Sequence, residues 1–406
     1  MASVNDGMVL YQASTILTSL VKQATGAAVI APTNTGEFVS VAQTALLNGY
    51  DPIINAMSQM WGRTIFSIRP YYAKFQGLAM DAERWGNATR KLSIADQPVM
   101  DDERFIYPVA YDSTETANPL GNGQAVDMYK LHKPDILQTN FYGQSVYENI
   151  YTIFRDNLDT AFRSPEEFMR FNAMVTGNRT DKLEQYRETI ARGLLANYIG
   201  SILDENQTGR VIKLLTEYNT ESGQSLTATT VYEPSNFAPF MQWAYARIAT
   251  LSRMMTERST MFQTTINGKI INRHTPPERQ KVYLYAKAMD QFSAMVRANT
   301  FNENLLRYTD YEGVTYWQSI ETPDSIAVKP TYTDTTGAVK TSAAEVEQAG
   351  VFGVIFDEEA LGYAEVNRWN ALTPFNIVGG YWNDADHVNF RTRQDMTEKG
   401  IVLLLE

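Results

Sequence analysis

The stretch Ser164-Pro165-Glu166-Glu167-Phe168-Met169-Arg170-Phe171 decides how the chain is organised, because it opens the longest periodic segment of the sequence. A serine followed directly by proline, with glutamate three residues after the serine, is typical of a helix N-terminus, since the two side chains satisfy backbone amides that have no partner within the helix. Apolar residues then recur at spacings of three and four, at Phe168, Phe171, Met174, Leu183, Tyr186, Ile190, Leu194, Tyr198 and Ile202. The pattern predicts a helix over residues 164–204.

The length of this helix leaves two alternatives open. At about 1.5 Å per residue, an unbroken helix over the whole segment spans roughly 60 Å, which is long for a globular domain. Gly177-Asn178 interrupts the apolar stripe, so two ordinary antiparallel helices that turn at Gly177 fit the sequence equally well.

The residues before the helix suggest an arm and a β excursion. Residues 1–61 carry short apolar groups without a long period, which favours an N-terminal arm over a domain. Strand-like runs follow at 64–69, 105–109 and 126–131, and residues 112–124 have the composition of a loop. We expect a long two-stranded excursion with a flexible tip. Because an isolated hairpin is marginal in water, we expect a neighbouring subunit to cover it.

The residues after the helix predict a mixed α+β domain. Ser235 is expected to cap a second helix, and residues 281–286 form a strand that leads directly into a helix over 287–299. Residues 322–350 have little periodicity and are expected to form a surface insertion. Three closing strands are predicted, at 351–356, 377–381 and 400–405.

Composition excludes several functional classes. The 406 residues suffice for one large or two to three ordinary domains, and 44% hydrophobic residues supply a substantial core. The absence of cysteine excludes disulfides, thiolate catalysis and cysteine-ligated metals. A net charge of −11 disfavours a broad nucleic-acid-binding face. We expect neither a membrane span nor a secretory signal.

No constellation of catalytic or ligand-binding residues stands out. The three histidines, His132, His274 and His387, lie in unrelated contexts. An acidic set could meet as an oxygen-ligand cation site or as a glycosidase-like carboxylate pair, although solvated turns are the commoner interpretation; it comprises Asp357, Glu358, Glu359, Asp384 and Asp386. We therefore predict no catalytic residue, no cofactor and no metal site.

The order of these segments resembles that of the major capsid protein of tailed bacteriophages, with the fold named after the Hong Kong 97 head. The resemblance covers essentially the whole chain and is carried by order, spacing and length. Short-tailed phage capsid proteins are similar in particular segments: Gly62-Arg63-Thr64-Ile65-Phe66, Leu137 to Gly143, the helix that begins at Ser164, and the end from Val351-Phe352-Gly353 through Tyr381-Trp382 to Glu406.

The resemblance implies an α+β fold in five parts. Residues 1–61 form the N-terminal arm and residues 62–152 form the E-loop with its flanking strands, the loop itself being about residues 80–143. Residues 153–234 form the P domain with its spine helix at 164–204, residues 235–350 the A domain, and residues 351–406 return to complete the P-domain sheet.

The implied function is structural and not enzymatic. Copies of the chain would assemble through pentamers and hexamers into an icosahedral shell that encloses double-stranded phage DNA without sequence-specific binding. The implied location is the virion capsid, assembled in the host bacterial cytoplasm, with scaffolding, portal and cement proteins as further partners. Some relatives cross-link an E-loop lysine to an asparagine of another subunit, but neither Lys91 nor Lys130 has a context that assigns this role.

Two alternatives remain open at this point. An encapsulin-type nanocompartment shell has the same fold, but the long segments at 112–124 and 322–350 disfavour it. An acidic carbohydrate-active enzyme or binding module would use Trp85, Trp243, Trp369 and Trp382 as stacking platforms. The long capped helix, and the lack of a defensible carboxylate pair, disfavour that class.

Overall fold

The computed structural model describes residues 4–26, 31–47, 49–61, 73–80, 88–96, 129, 133–142, 145–206, 209–291 and 311–406. The chain forms two compact units. Unit 1 comprises residues 1–87, 142–196 and 361–394, and unit 2 comprises residues 88–141, 197–360 and 395–406.

Unit 1 begins with three helices, α1 (Val4–Thr25), α2 (Thr35–Leu47) and α3 (Tyr50–Trp61). Their apolar residues enter one core cluster, in which Leu17, Phe38 and Ile54 are buried together with Phe168. The sequence predicted an N-terminal arm here and did not predict these helices. The helical period is hidden in the sequence because small or polar residues, such as Ala13 and Ser14, occupy buried positions.

The predicted central helix is one continuous element. After a short helix α4 (Arg155–Ala161), α5 runs over Pro165–Glu205, 41 residues, without a turn at Gly177. The predicted cap is present, since the amide of Glu167 donates to Ser164 Oγ at 3.2 Å. A helical glycine costs about 1 kcal/mol. Val175 and Arg179, which flank the glycine, are both buried, so packing outweighs that cost.

A three-stranded antiparallel sheet packs in unit 1, in the order β12-β13-β3. Its strands are β3 (Ser145–Phe154), β12 (Leu361–Leu372) and β13 (Tyr381–Gln394). The sequence did not predict β12 and β13, and the predicted strand at 377–381 is wrong except for its last residue. Residues 377–380 form a turn. Gly380 has φ +66°, which is outside the extended region that a strand needs, and Ile377 and Val378 project into solvent.

Unit 2 contains a mixed five-stranded sheet in the order β4-β14-β11-β5-β6. The strands are β4 (Val211–Lys213), β5 (Gln280–Tyr285), β6 (Glu312–Val314), β11 (Val351–Asp357) and β14 (Gly400–Leu404). The strand predictions at 281–286, 351–356 and 400–405 are thereby confirmed, to within a residue or two at the ends. The closing strands divide between two sheets, because the wholly buried β11 and β14 pair with each other and not with β12 or β13.

Helices α6 (Leu214–Ser222) and α7 (Pro234–Thr256) contribute to the core of unit 2, where Phe240, Ile248 and Leu251 lie in one cluster with Val282 and Ile355. The predicted Ser235 cap is wrong. Pro234 takes the first helical position and Glu233 is the cap residue, with its carbonyl accepting the amides of Asn236 and Phe237. Helical residues 286–291 follow β5 directly, as predicted, and residues 292–299 lie outside the described residues.

A two-stranded ribbon pairs β1 (Ala88–Ile94) with β2 (Ile136–Tyr142). It lies within the predicted excursion, but the sequence did not predict strands at these residues. The other predicted strands, at 64–69, 105–109 and 126–131, lie outside the described residues, as does the connector at 112–124.

The predicted insertion at 322–350 forms two small antiparallel pairs. They are β7 (Ile326–Val328) with β10 (Val346–Gln348), and β8 (Thr331–Thr333) with β9 (Val339–Thr341). The end of α5 holds them, since Asp204 accepts hydrogen bonds from Tyr332 at 2.6 Å and from Ser342 at 3.0 Å. Among the helices of the described ranges, none is both long and apolar enough to cross a membrane.

Lys399 gives unit 2 a pH-dependent stability. Its side chain is fully buried, and Nζ donates to the carbonyl of Glu257 at 2.8 Å and to Ser259 Oγ at 3.0 Å. Burial lowers the pKa of Lys399 from 10.5 to about 8. Between these two values the unfolded chain binds more protons than the native chain, so the contribution of Lys399 to the free energy of unfolding increases with pH.

We expect the stability difference between the wild type and Lys399→Met to shift in favour of the wild type as the pH rises from about 8 to about 10.5, by up to about 1.4 kcal/mol per pH unit. Urea denaturation at several pH values measures it. Lys213→Met, which alters a half-exposed lysine in β4, is the matched control and should show no such trend. A pH-independent difference for Lys399→Met would contradict the prediction.

Candidate assembly surfaces

The face of the β12-β13-β3 sheet that turns away from α5 is unusually apolar. Val146, Ile150 and Phe154 lie four residues apart along β3 and are 56%, 55% and 48% exposed, and Trp369 of β12 is 47% exposed. The register places them on one face, because Ile150 lies opposite Ala385, while Glu148 and Trp369 both lie opposite His387. We call this surface the outer sheet face. The opposite face buries Ile153, Trp382, Val388 and Phe390.

Polar residues lie among these apolar side chains, because the register puts six of them on the outer sheet face: Glu148, Thr152, Asn367, Asn383, His387 and Asn389. His387 stacks on Trp369 with ring centroids 3.9 Å apart, and its Nε2 lies 3.8 Å from Glu148 Oε1. Glu148 is half-exposed, so an accessible carboxylate lies beside the apolar side chains of this face. Exposed apolar patches of this kind mark interaction sites more often than ordinary surface.

The β12–β13 turn extends this apolar character. Ile377 and Val378 are 87% and 100% exposed. The turn is nevertheless well ordered by hydrogen bonds, since Asn376 Oδ1 accepts the amides of Val378 and Gly379 at 3.1 and 3.0 Å.

The β1–β2 ribbon has two unlike faces. Leu92 and Ile94 of β1 and Ile136 of β2 are 58%, 65% and 53% exposed, and they define what we call the ribbon face. Arg90 is exposed at its edge. Lys91, Ser93 and Ala95 alternate with these residues and point the other way, so only one face of β1 is available to another molecule.

Beneath the ribbon, Lys91 lies among three carboxylates. Its Nζ is 2.9 Å from Asp395 Oδ2 and 3.2 Å from Glu359 Oε2, and it also bonds Glu398. Burial acts to lower the pKa of Lys91, but Asp395 and Glu398 outweigh it and the pKa is raised. Burial raises the pKa of Glu398, and Lys91 and Arg273 offset this only in part. Burial also acts to raise the pKa of Glu359, but Arg279 and Lys91 lower it to about 2.

The acidic residues that the sequence singled out are held by arginines. Arg279 contacts all three of Asp357, Glu358 and Glu359, at 3.2, 3.1 and 2.6 Å. In unit 1, Arg179 contacts Asp384 at 2.7 Å and Arg368 contacts Asp386 at 2.7 Å. The interpretation as solvated turns is wrong for Asp357, Asp384 and Asp386, which are buried. Within the described residues, no group of three or more acidic or histidine side chains could hold a metal ion.

The remaining predicted candidates are scattered. His274 is exposed, and His132, Trp85 and Lys130 lie outside the described residues. In unit 1 the indole of buried Trp382 donates to Asp51 at 2.7 Å, and in unit 2 that of Trp243 donates to Glu221 at 2.7 Å. Both indoles are therefore hydrogen-bonded within their own unit. Of Trp243, Trp369 and Trp382, Trp369 is the one with a largely exposed ring.

Sequence reasoning missed the outer sheet face altogether. Its signal was present along residues 145–154, where Val146, Ile150 and Phe154 occupy every fourth position and therefore lie on one face of a strand. Alternation alone, however, does not reveal which face the rest of the unit covers.

Comparisons with known proteins match the chain to phage structural proteins. Residues 17–390 match the family model described as Phi29-like phage major capsid protein. Among solved structures, the chain is similar to the "Capsid structure of Staphylococcus phage Andhra", with 11% identity, a TM-score of 0.51 and coverage of 85% of this chain and 87% of that one. It is also similar to a chain in the "Structure of head fiber and inner core protein gp22 of native bacteriophage P68", with 12% identity, a TM-score of 0.53 and the same coverage. No curated protein matches the chain significantly. At these identities the structural likeness concerns the fold.

The buried Arg179–Asp384 pair provides a test of the unit 1 architecture. Both side chains are almost fully buried, at 3% and 0% exposure. Replacing Asp384 with Asn leaves the arginine charge buried without its counter-charge, and we expect a loss of about 3–5 kcal/mol in the free energy of unfolding. Denaturant unfolding measures it. Arg170→Gln is the matched control on α5, because it removes an exposed pair with Glu167 and should cost less than about 1 kcal/mol. Equal effects of the two substitutions would contradict the burial of Asp384.

Proposed function

The chain belongs to the family of Phi29-like phage major capsid proteins, and from this premise we propose how its parts serve the shell. As a member of this family it is a structural component of the virion capsid and assembles from copies of itself. The alternatives of a nanocompartment shell and of a carbohydrate-active protein are not favoured by the family match.

We propose the domain roles implied by the sequence resemblance. The β1–β2 ribbon would belong to the E-loop, α5 would be the spine helix of the P domain, and residues 235–350 would form most of the A domain. Residues 1–61 would serve as the N-terminal arm. A single helix of 41 residues and a paired β1–β2 ribbon support this assignment.

We further propose that the ribbon face of one copy packs on the outer sheet face of a neighbouring copy. Each surface carries three or more large apolar side chains that are about half exposed in the single chain. Packing one sheet face on another removes such side chains from water at a sheet separation of about 10 Å. The charges are complementary, because Arg90 borders the ribbon face and Glu148 lies within the outer sheet face. A ribbon that is marginal alone is stabilised by this contact.

We propose that the protein has no enzymatic activity. The ion pairs of the acidic residues support this proposal. A glycosidase-like mechanism would need free carboxylates, whereas Asp357, Asp384 and Asp386 are paired with Arg279, Arg179 and Arg368, respectively. Lys91 is engaged by carboxylates of its own chain, which disfavours it as a cross-linking lysine. Scaffolding, portal and cement proteins are proposed partners on the resemblance alone.

Particle size is the first test of the shell. We expect the purified protein to form pentamers, hexamers or closed shells in negative-stain micrographs and in light scattering at low and moderate salt. A compact monomer under all these conditions that also bound an oligosaccharide would overturn the proposal.

The contact between copies can be tested with cysteine pairs, because the chain has no native cysteine. One cysteine replaces Leu92, Ile94 or Ile136, and the second replaces Val146, Ile150 or Phe154. After assembly and mild oxidation, we expect at least one of these pairs to give a ladder of covalent oligomers on a non-reducing gel. The unassembled subunit should give none.

The matched control for this experiment pairs Leu92→Cys with Val339→Cys, a position in β9 that is more exposed, at 76%, than the outer-sheet positions and that the proposed contact does not include. It should give no ladder. If shells form but no pair cross-links, or if the control pair cross-links equally well, the proposed contact is wrong.

A further inference from the structure

The inner face of β1 is fastened to other segments of unit 2 from Lys91 onward. Ser93 Oγ accepts a hydrogen bond from Arg273 at 2.8 Å, and Asp96 accepts one from the amide of Asn272 at 2.7 Å. The amide of Asp96 donates to the carbonyl of Ile270 at 2.8 Å, and Arg258 pairs with its carboxylate. These contacts tie the end of β1 to the segment 258–273.

Lys91 adds a second attachment, to two other turns. Glu359 lies in the turn after β11, whereas Asp395 and Glu398 lie in the turn before β14. The ammonium group of one ribbon residue therefore bonds carboxylates from two turns that are 35 or more residues apart in sequence. Lys91 is 17% exposed, and Asp395 and Glu398 are 1% and 5% exposed, so little water screens these contacts.

The carboxylates around Lys91 are themselves held in place. Asp395 Oδ1 accepts the amide and the hydroxyl of Thr397 at 2.9 and 2.6 Å. Glu398 lies 3.2 Å from Arg273, and Glu359 lies 2.6 Å from Arg279. The three carboxylates thus form a preformed acceptor site, and Lys91 is the ribbon residue whose charge fills it. We call this arrangement the Lys91 clasp.

We propose that the Lys91 clasp is a conformational device that locks the β1–β2 ribbon in one register, so that Leu92 and Ile94 always face outward. Successive strand residues point to opposite sides, and a slip by one residue would therefore turn Lys91 outward and the apolar residues inward. Placing the Lys91 ammonium group in this acidic site opposes that slip. The slipped ribbon would remove the cation that bonds the 1% exposed Asp395, and it would leave Glu398 and Glu359 with Arg273 and Arg279 alone. This inference rests on the proposed function at one point, which is that the exposed ribbon face packs on a neighbouring copy.

The test is amide hydrogen exchange on the unassembled subunit, comparing the wild type with Lys91→Met, which keeps the length of the side chain and removes its charge. We expect the amides of residues 90–94 and 137–141 to exchange about tenfold faster or more in the variant, because the ribbon opens without global unfolding. The amides of β11 and β14 should exchange at the wild-type rate. Lys91→Arg retains the charge and should restore most of the protection.

Lys213→Met is the matched control, since it removes a half-exposed lysine paired with Glu406 and should leave the ribbon unchanged. If Lys91→Met fails to fold, Glu359→Gln decides instead, because it removes one partly exposed carboxylate of the clasp and should speed ribbon exchange by a smaller factor. Ribbon exchange at the wild-type rate in the folded variant overturns the clasp.

The outcome is separable from that of the proposed contact. Faster ribbon exchange in Lys91→Met, together with absent cross-links in assembled wild-type cysteine pairs, would support the clasp and refute the contact. Wild-type exchange together with strong cross-links would refute the clasp alone.

Discussion

The continuity of α5 is the constraint on which the rest of the structure depends. One helix of 41 residues supplies buried side chains to both compact units, with Phe168 and Val175 in the core of unit 1 and Tyr198 against Phe356 in unit 2. A turn at Gly177 would have moved Arg179 away from the sheet, and with it the counter-charge of Asp384. The helix remains intact because its buried neighbours gain more from packing than the glycine costs.

Paired charges make the rest of the architecture possible. β13 buries Asp384 and Asp386 on the face that a hydrophobic pattern would reserve for apolar residues, and arginines from α5 and β12 supply the opposite charges. Such pairs contribute less to stability than well-packed apolar groups, but breaking one leaves an uncompensated charge. The Arg179–Asp384 pair therefore holds β13 against α5, and the Arg368–Asp386 pair holds β13 against β12. The Lys91 clasp applies the same chemistry to the ribbon, where one cation satisfies acceptors from two turns.

What one copy leaves exposed is consistent with a protein that functions through its contacts with other copies. The ribbon face, the outer sheet face and the turn with Ile377 and Val378 present apolar side chains that a monomeric protein normally avoids grouping on its surface. The inner face of β1 is held to the rest of unit 2 through Lys91 and Ser93, and Leu92 and Ile94 are exposed on the opposite face. The ribbon therefore presents the same apolar face to a neighbouring copy. In a capsid this matters, because a shell is built by repeating one kind of contact between copies.

The sequence by itself determined the elements whose signals are local. Ser164-Pro165-Glu166-Glu167 specified the start of α5, and the apolar runs specified β5, β11 and β14, since these strands are buried on both faces and need no partner to be recognised. The order and spacing of the segments also indicated the capsid family. Only the tertiary structure decided that α5 is unbroken, that α1, α2 and α3 pack as helices, that Asp384 and Asp386 are buried, and that Lys91 lies among carboxylates. Each of these outcomes depends on side chains distant in sequence, such as Arg179 for Asp384 and Asp395 for Lys91, and a local pattern carries no information about a counter-charge that lies hundreds of residues away.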